Sequence, residues 1–393
     1  MKPVYIVSAV RTPIGKFGGS LMGFTAADLG VIAAKAAMER VGVEPGQVEE
    51  TIFGNGRQAG GGPNVARQIG CRSGVPETVP AYTVNQACAS GIKSIALGYN
   101  EIVLGNYDCV LAGGTESMSR LPYLLENARW GYRLGHQQVV DAMYKDGFLD
   151  PLSGMLMGET AEKLTEIHKI SREEQDQFAL ASQQRAEAAT KNGWFGSEIV
   201  PIEIKEKKGV RVLYSDEHIR FGAKIEGLAK LAPVFSKTGT VSAGNSSGIT
   251  DGAAATVLVS EKKVKEWGLK PIARIIDYTS VGVDPSIMGI GPVPAVNKLL
   301  SKTGGKLEDF DLIELNEAFA AQVIACDREL HFDRKKLNVN GGAIALGHPI
   351  GCTGTRIVVT LLHALQRRGG KRGLATLCVS GGMGMALDVE MVT

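Results

Sequence analysis

Apolar and polar positions follow two different periods along the chain. Short apolar runs at 4–8, 51–54 and 109–112 are typical of buried strands. They alternate with stretches such as 26–41, where apolar residues recur at helical spacing. That stretch begins at Thr25-x-x-Asp28, a capping-box pattern that marks a helix start. The alternation predicts βα units and therefore an α/β protein.

The pattern changes in the middle of the chain. Residues 120–248 are more charged and have longer loops, and they include a predicted helix over 172–192 that is capped by Ser171-x-x-Glu174. The βα alternation restarts at Pro271. We therefore predict a first half at 1–119 plus 249–270, an inserted loop domain at 120–248, and a second half at 271–393.

The second half repeats local features of the first in the same order. Val84-Asn85 before Cys88-Ala89-Ser90-Gly91 is echoed by Val339-Asn340 before Gly351-Cys352-Thr353-Gly354. Likewise Leu111-Ala112-Gly113-Gly114 is echoed by Val379-Ser380-Gly381-Gly382. Two echoes in a chain with 50 glycines allow for chance, but their common order favours a duplicated α/β unit.

Composition excludes several classes of function. The 43 basic and 41 acidic residues leave a net charge of +2, and no basic stripe is interleaved with aromatic residues, so nucleic acid is not an expected partner. The six cysteines form no Cys-x-x-Cys pair, which argues against a disulfide framework and a zinc site. No stretch approaches the ~18 apolar residues of a membrane helix. We expect no metal, no membrane and a cytoplasmic location.

Cys88 is the first candidate for chemistry. It lies between a strand-like run at 79–84 and a helix-like run at 92–104, where the helix dipole and free N–H groups favour a thiolate and lower its pKa. The alternative is a buried small hydrophobic residue, the usual fate of a free cysteine. The small neighbours from Ala87 to Gly91 favour the nucleophile, because they let a substrate approach the backbone closely.

Three further residues lie in loops that suit catalysis. His348 is held in the glycine-dense loop 341–349, which favours a general base over a structural histidine. Cys378 ends an apolar run and precedes Ser380-Gly381-Gly382, a turn whose N–H groups are suited to binding an oxyanion, although a buried strand residue is the alternative. Asn316 follows the strand-like run 312–315, and ligand sites in α/β proteins lie at the carboxyl ends of the strands. The alternative is that this isolated asparagine forms a turn or caps a helix. Residues 242–248 suit either a linker or a channel wall of small side chains.

Together these motifs resemble those of the thiolases over essentially the whole chain. The runs at 10–15, 127–132 and 282–289 also look like thiolase signatures. The resemblance implies two thiolase-fold halves in a five-layer αβαβα core, an inserted loop domain, and a homotetramer of paired dimers. It also implies the reversible condensation of two acetyl-CoA to acetoacetyl-CoA and CoA, with coenzyme A thioesters as substrates and no cofactor.

The same resemblance assigns roles to individual residues. Cys88 would carry the acyl group, His348 would take its proton, and Cys378 would remove or return the α-proton. Asn316 would anchor a water that completes one oxyanion hole with His348, while the N–H groups of Cys88 and Ser380 form the other. Coenzyme A would contact the following residues, with Arg220 near the nucleotide: Met157, Arg220, Ala243, Gly244, Ser247, Met288, Ala318 and Phe319.

The chain departs from the family pattern at a few of these positions. Leu156 stands where a histidine is usual, which opens the question of acyl chain length. Ser380 and Gly227 replace a usual glycine and a usual serine, and Gln86-Ala87 replaces a more frequent Lys-Val pair. Ser380 therefore demands an ordinary backbone conformation at its position.

Three alternative functions compete with the acetyl-specific enzyme. Leu156 favours a 3-ketoacyl-CoA thiolase of broader chain length in fatty-acid degradation. A decarboxylating condensing enzyme resembles a Cys-His-His arrangement, which Cys378 and Asn316 do not fit. An acyl-CoA-binding subunit without turnover is disfavoured by the intact set of four candidate catalytic residues.

Overall fold

The strands of the computed structural model, which describes residues 2–207 and 209–392, follow the apolar runs of the sequence. Long, nearly continuous apolar runs become central strands because both of their faces are covered. The strands are β1 Val4–Arg11, β2 Gly15–Lys16, β3 Glu50–Gly54, β4 Ala81–Val84, β5 Cys109–Ser117, β6 Tyr123–Leu124, β7 Val140–Asp141, β8 Ile202–Glu206, β9 Gly209–Leu213, β10 Thr250–Ser260, β11 Ala273–Gly282, β12 Leu312–Leu315, β13 Arg372–Val379 and β14 Met383–Met391.

Both predicted capping boxes form at helix starts. Thr25 Oγ1 accepts the N–H of Asp28, whose carboxylate accepts the N–H of Thr25, and Ser171 and Glu174 make the same reciprocal pair. None of the helices within the described ranges combines the length and apolarity needed to cross a bilayer. The helices are α1 Ala26–Glu39, α2 Val65–Arg72, α3 Ser90–Leu104, α4 Met157–His168, α5 Arg172–Lys191, α6 Ile225–Ala229, α7 Glu261–Glu266, α8 Pro292–Thr303, α9 Ala320–Leu330, α10 Ala343–Leu346 and α11 Ile350–Arg368.

The sheet contains the same strand arrangement twice. In the first half the order is β1-β10-β5-β3-β4, and in the second it is β11-β14-β13-β12. In each half the second strand of this order is antiparallel to the first and to the third. The third and fourth strands, β5 with β3 and β13 with β12, are parallel to each other. The halves meet where β1 pairs antiparallel with β11, with Tyr5 opposite Arg274. The duplicated α/β unit predicted from the sequence echoes is therefore confirmed.

Three apolar clusters define five layers of helix and strand. The outer cluster of the first half packs α1 and α2 on β10, β5 and β3. The outer cluster of the second half packs α8 and α9 on β12 and β13. Between the halves, α3 and α11 contribute Ile92, Ile95, Ile357 and Leu361 to a shared cluster with strands of both. This is the expected αβαβα core.

The two central helices approach each other closely at a pair of glycines. A Cβ on Gly91 of α3 would lie 2.6 Å from the backbone nitrogen of Thr355, and a Cβ on Gly354 of α11 would lie 2.3 Å from that of Ile92. Only glycine permits this reciprocal backbone contact. It brings the starts of α3 and α11 together, and these starts carry the candidate catalytic loops.

Equivalent strand connections differ greatly between the halves. β13 and β14 are joined by Ser380–Gly382, where Gly381 and Gly382 have φ values of 86° and 80°. In the first half, residues 118–249 connect β5 to β10 and contain α4 to α6 and two short hairpins. Buried Arg11 of β1 binds this segment through Glu198 at 2.7 Å and Asp216 at 2.7 Å. The exact domain boundaries proposed from the sequence stay a prediction.

Candidate active site

Cys88 lies in a short turn between β4 and α3. The 3₁₀ turn Ala87–Ala89 leads into the helix, and Ala87 has a left-handed φ of 44°, a conformation that costs energy for a residue with a Cβ. The hydroxyl of Ser90 stabilises the turn, since it donates to the carbonyl of Ala87 at 2.7 Å and accepts the N–H of Gln86 at 2.9 Å. The thiol is thereby fixed at the start of α3, as the sequence predicts.

His348 approaches Cys88 from the second half. Its Nε2 lies 3.3 Å from the Sγ of Cys88, and its Nδ1 lies 2.6 Å from the hydroxyl oxygen of Thr353. That hydroxyl also lies 3.0 Å from the carbonyl of Pro349, which accepts its single hydrogen. The Thr353 hydroxyl oxygen therefore accepts a hydrogen bond from Nδ1–H of His348, and this tautomer leaves the lone pair of Nε2 facing the thiol. The pair has the geometry of a nucleophile and its base.

The protonation state of this pair is set by burial. Burial raises the pKa of the Cys88 thiol, although the charge of Arg57 and the N–H of Ser380 oppose the rise. Burial, with the charges of Arg356 and Arg57, lowers the pKa of His348 to about 3. The expectation of a lowered thiol pKa in the free protein is wrong, because desolvation outweighs the helix start. The resting pair is a neutral thiol and a neutral imidazole.

Cys378 and Ser380 enter the same cavity from the end of β13. Cys378 is fully buried, and burial, together with the nearby Cys88 and Cys326 thiols, raises its pKa well above the ordinary value. The backbone N–H groups of Ser380 and Cys88 both favour the thiolate of Cys88 and so oppose the rise of its pKa. Ser380 is not among the described residues with a left-handed φ, so the serine fits the turn as expected.

Asn316 lies directly after β12 and is fully buried. Its backbone N–H donates to the carbonyl of Thr376 at 3.0 Å, which fixes it beside β13. Neither polar atom of its side chain has a partner within the described ranges, and the residue does not line the cavity. A buried amide without protein partners is suited to holding a water.

A cavity of about 370 Å³ brings most of the predicted residues together. Gly244 is the exception among the expected coenzyme A contacts. A Cβ there would lie 2.6 Å from Leu231 and 2.8 Å from Leu228, so its Cα packs against the end of α6 instead of lining the cavity. The predicted residues that line it are Cys88, Met157, Arg220, Ala243, Ser247, Met288, Ala318, Phe319, His348, Cys378 and Ser380.

Sequence reasoning missed several residues that line the cavity. Buried Arg57 follows β3, and no local pattern in its glycine-rich stretch indicated that it lines the same cavity as Cys88. Leu156 was considered for its departure from the family pattern, and it does line the cavity. The other lining residues that were not predicted include Met118, Tyr144, Phe148, His218, Phe235, Ser246, Ile249 and Ile350.

Glu116 was also missed, although it holds the two halves together beneath the cavity. Each of its two carboxylate oxygens accepts two hydrogen bonds. Three of the four come from the side-chain amide of Asn55 and the backbone N–H groups of Gly56 and Arg57. The fourth comes from the N–H of Gly351 at 2.8 Å, at the start of α11. Burial raises the pKa of this carboxyl to about 7. Glu116 therefore links the loop after β3 to the helix that follows His348.

Electrostatics and donor chemistry limit what the site binds. Within the described ranges, no group of three or more His, Cys, Asp or Glu side chains is placed to hold a metal ion. The cavity instead offers the thiols of Cys88 and Cys378, the imidazoles of His348 and His218, and backbone N–H groups. These groups suit the transfer of an acyl group through a thioester.

The fold and this constellation agree with comparisons to known proteins. Residues 4–262 match the thiolase N-terminal domain, and residues 269–391 match the thiolase C-terminal domain. The chain therefore belongs to the thiolase family.

Individual relatives match over their full lengths. The chain is 50% identical to acetyl-CoA acetyltransferase of Cupriavidus necator, with 99% of this chain and 100% of that protein covered. The structure of the Bacillus anthracis acetyl-CoA acetyltransferase superimposes with a TM-score of 0.98 at 49% identity, covering 100% of this chain and 99% of that one. Human mitochondrial 3-ketoacyl-CoA thiolase has a TM-score of 0.97 at 47% identity, with the same coverage.

Proposed function

We propose that this protein is an acetyl-CoA acetyltransferase, which reversibly condenses two acetyl-CoA to acetoacetyl-CoA and CoA through an acyl-Cys88 intermediate. The observation that carries the proposal is the contact of 3.3 Å between Cys88 Sγ and His348 Nε2, in a cavity that Cys378 also lines. The relatives named acetyl-CoA acetyltransferase support the acetyl substrate.

In the first half-reaction Cys88 becomes acylated. Its proton passes to Nε2 of His348 as the sulfur attacks the thioester carbonyl of the first acetyl-CoA. The oxyanion that forms accepts hydrogen bonds from the N–H groups of Cys88 and Ser380, both of which favour negative charge at the Cys88 sulfur. Coenzyme A leaves with the proton of Cys378, so the site then holds an imidazolium and a Cys378 thiolate.

In the second half-reaction the thiolate acts on carbon. Cys378 removes a proton from the α-carbon of the second acetyl-CoA, and its high proton affinity, which follows from burial, suits so weak an acid. The enolate oxygen is stabilised by protonated His348 and by a water held on the amide of Asn316. The enolate carbon then attacks acyl-Cys88, and the imidazolium returns its proton to the Cys88 sulfur, which restores the starting state.

Coenzyme A is assigned to the lining residues predicted for it. Ala243, Ser247, Ala318 and Phe319 present small or flat surfaces along the cavity, which suit a slender pantetheine arm. Exposed Arg220 is placed to meet a charged group at its outer end. A solved complex of human mitochondrial 3-ketoacyl-CoA thiolase with CoA supports coenzyme A as a ligand of this fold.

The test is thiolysis measured with two substrates. We expect CoA-dependent cleavage of acetoacetyl-CoA with a higher kcat/KM than that of a medium-chain 3-ketoacyl-CoA such as 3-ketooctanoyl-CoA. Comparable or better cleavage of the longer substrate would move the enzyme to the degradative class. Activity on neither substrate, with Cys88 still alkylated by iodoacetamide, would favour a binding subunit.

Leu156 is the observation that favours the 3-ketoacyl-CoA thiolase of broader chain length as a second candidate. It lines the cavity at the residue before α4, where its side chain adds apolar surface. Replacing it with histidine should narrow the substrate range towards acetoacetyl-CoA. An unchanged range for Leu156→His would remove this support.

The remaining proposals concern the oligomeric state of the enzyme, its location in the cell and its need for a cofactor. We infer a homotetramer of paired dimers and a cytoplasmic location from the family resemblance. The mechanism above uses the chain's own side chains and needs no cofactor. Sedimentation of the purified chain at micromolar concentration tests the tetramer, and a monomer would contradict it.

A further inference from the structure

Arg57 places a positive charge inside the acyl-transfer cavity. The residue is 8% exposed, and it lines the same cavity as Cys88. Its positive charge lowers the pKa of Cys88 and the pKa of His348, against and with the effect of burial respectively. The mechanism proposed above assigns no step to it. The nearby lining residues outside the predicted coenzyme A contacts are mainly apolar, and they include Met118, Phe148 and Ile350.

The guanidinium of Arg57 forms no ion pair with a carboxylate among the described residues. Nη1 donates to the carbonyl of Gly56 at 3.3 Å and Nη2 to that of Gly147 at 3.1 Å, while Nε has no partner among the described residues. In this part of the chain no carboxylate oxygen forms an ion pair with it, although such pairs are found for Arg11 and Arg356. A buried charge without a partner is costly, so retaining one at a site calls for a reason.

Glu116 does not supply the missing partner. The charge of Arg57 lowers the pKa of the Glu116 carboxyl, against the larger effect of burial, but both carboxylate oxygens are already engaged, each by two hydrogen bonds. Those bonds come from Asn55 and from backbone N–H groups, including that of Arg57 itself. The carboxylate therefore holds the backbone of Arg57 and leaves its guanidinium for another group.

The backbone around Gly147 is shaped to accept this side chain. A Cβ at Gly147 would lie 2.7 Å from Nε of Arg57, so any side chain at this position would displace the guanidinium from where it lies. The glycine lies in the single π-helical turn Tyr144–Phe148, which also contributes Tyr144 and Phe148 to the cavity lining. Arg57 is thus held against one wall by its hydrogen bond to Gly147, with its remaining N–H groups available to a ligand.

We propose that Arg57 binds a carboxylate at the far end of the acyl group, so that the enzyme also accepts 3-ketoacyl-CoA thioesters whose chain ends in a carboxylate. This inference rests on the proposed function, because it uses Cys88 as the acyl carrier. The planar fork of a guanidinium matches a carboxylate with two parallel hydrogen bonds. A plain hydrocarbon chain of the same length would exclude water from Arg57 and offer no hydrogen bond in return.

The reaction with such a substrate is the reverse of the condensation. Cys88 gives its proton to His348 and attacks the 3-keto carbon, the bond between C2 and C3 breaks, and C2 takes a proton from Cys378. Acetyl-CoA leaves, and an acyl group with a terminal carboxylate remains on Cys88. Incoming CoA gives its proton to the Cys378 thiolate and attacks this thioester, and the imidazolium of His348 returns a proton to Cys88.

The experiment compares two substrates that differ only in the terminal group. 3-Ketoadipyl-CoA and 3-ketohexanoyl-CoA have six acyl carbons each, and only the first ends in a carboxylate. For the wild-type enzyme we expect kcat/KM for 3-ketoadipyl-CoA to be higher by about tenfold or more, the scale of a charge-assisted hydrogen bond. Arg57→Leu should reverse that ratio, and Arg57→Lys should retain part of it.

Arg220→Leu is the matched control, because Arg220 lines the same cavity but is assigned to coenzyme A. It should raise KM for both substrates by the same factor and leave their ratio unchanged. A wild-type preference for 3-ketohexanoyl-CoA, or an unchanged ratio in a folded Arg57→Leu enzyme, overturns the inference while activity on acetoacetyl-CoA keeps the proposed function. Inactivity of the wild-type enzyme on all three substrates overturns both.

Discussion

The central helices α3 and α11 occupy the same place in the two halves, yet their first turns do different work. In α3, the hydroxyl of Ser90 accepts the N–H of Gln86 and donates to the carbonyl of Ala87, which fixes the turn that carries Cys88. In α11, the hydroxyl of Thr353 donates to the carbonyl of Pro349 and accepts a hydrogen bond from Nδ1–H of His348. One hydroxyl positions the nucleophile and its counterpart positions the base.

The connections at the ends of equivalent strands differ in the same way. β13 ends at Val379 and turns at once, which leaves Cys378 and the N–H of Ser380 facing the cavity. β5 runs on through Ser117 and then leads into the 118–249 segment. A duplicated scaffold thus supplies complementary groups to one site, and the site exists only where the halves meet.

The largest expected effect compares the cysteines near the two helix starts. Cys88→Ala should lower acetoacetyl-CoA thiolysis by about 10⁴-fold or more, because it removes the acyl carrier. Cys352→Ala should leave the rate within about threefold and lower the free energy of unfolding by about 1–2 kcal/mol, since Cys352 is a buried side chain outside the cavity. Steady-state kinetics and chemical denaturation check the pair. Similar rate losses in both variants would contradict the division between the helices.

The next effect concerns the thiol at the end of β13. Cys378→Ser should lower the rate of condensation by about 10²- to 10⁴-fold, because a hydroxyl is a far poorer source of a base, yet acetyl-Cys88 should still accumulate. Mass spectrometry of the protein after incubation with acetyl-CoA detects that acyl group. Cys326→Ser is the control: Cys326 is also buried, and its thiol donates to the carbonyl of Gly289 at 3.3 Å, outside the cavity. Its kinetics should stay close to those of the wild type.

A smaller effect is expected at the hydroxyl that orients His348. Thr353→Val leaves Nδ1 of the ring without an acceptor, and should lower kcat by about tenfold with little change in KM. Thr355→Val is the matched control, since the buried Thr355 hydroxyl has no partner among the described residues. If both variants behaved alike, the tautomer assigned to His348 would lose its support.

The close approach of the central helices predicts paired effects on stability. Gly91→Ala and Gly354→Ala each place a methyl group within 2.6 Å of the backbone of the facing helix. Each should lower the free energy of unfolding by about 1–3 kcal/mol or more, and by similar amounts, because the contact is reciprocal. Thermal unfolding of the two variants measures this. A loss confined to one of them would show that the helices are not equivalently packed.

The pH dependence of Cys88 alkylation is the most gradual effect. Because burial raises the thiol pKa, the fraction of thiolate at neutral pH is small and grows as pH rises. With the pKa of His348 lowered to about 3, the imidazole stays neutral and adds no transition near its ordinary pKa. The rate of inactivation by iodoacetamide should therefore keep rising through about pH 9. A plateau reached below about pH 7 would instead indicate a resting thiolate and imidazolium pair.

Much of the fold could be predicted because its signals are local. Apolar runs such as 109–112 gave strands, and the capping boxes at Thr25 and Ser171 gave helix starts. The loops that carry Cys88, His348 and Cys378 were also found from their own residues, since glycines and strand ends mark them directly. These three side chains line one cavity, as expected for residues of a single active site. Their catalytic roles stay predictions until the variants are measured.

What the sequence determined by itself is therefore the set of elements and the loops with reactive side chains. Only the tertiary structure decided the protonation of Cys88 and His348, because desolvation depends on what both halves pack around them. It also decided that Arg57 lines the site, that Glu116 binds the loop after β3 to the start of α11, and that Gly244 packs away from the site. These features depend on contacts between residues that are far apart in the chain, and local sequence patterns do not predict which of those residues become neighbours.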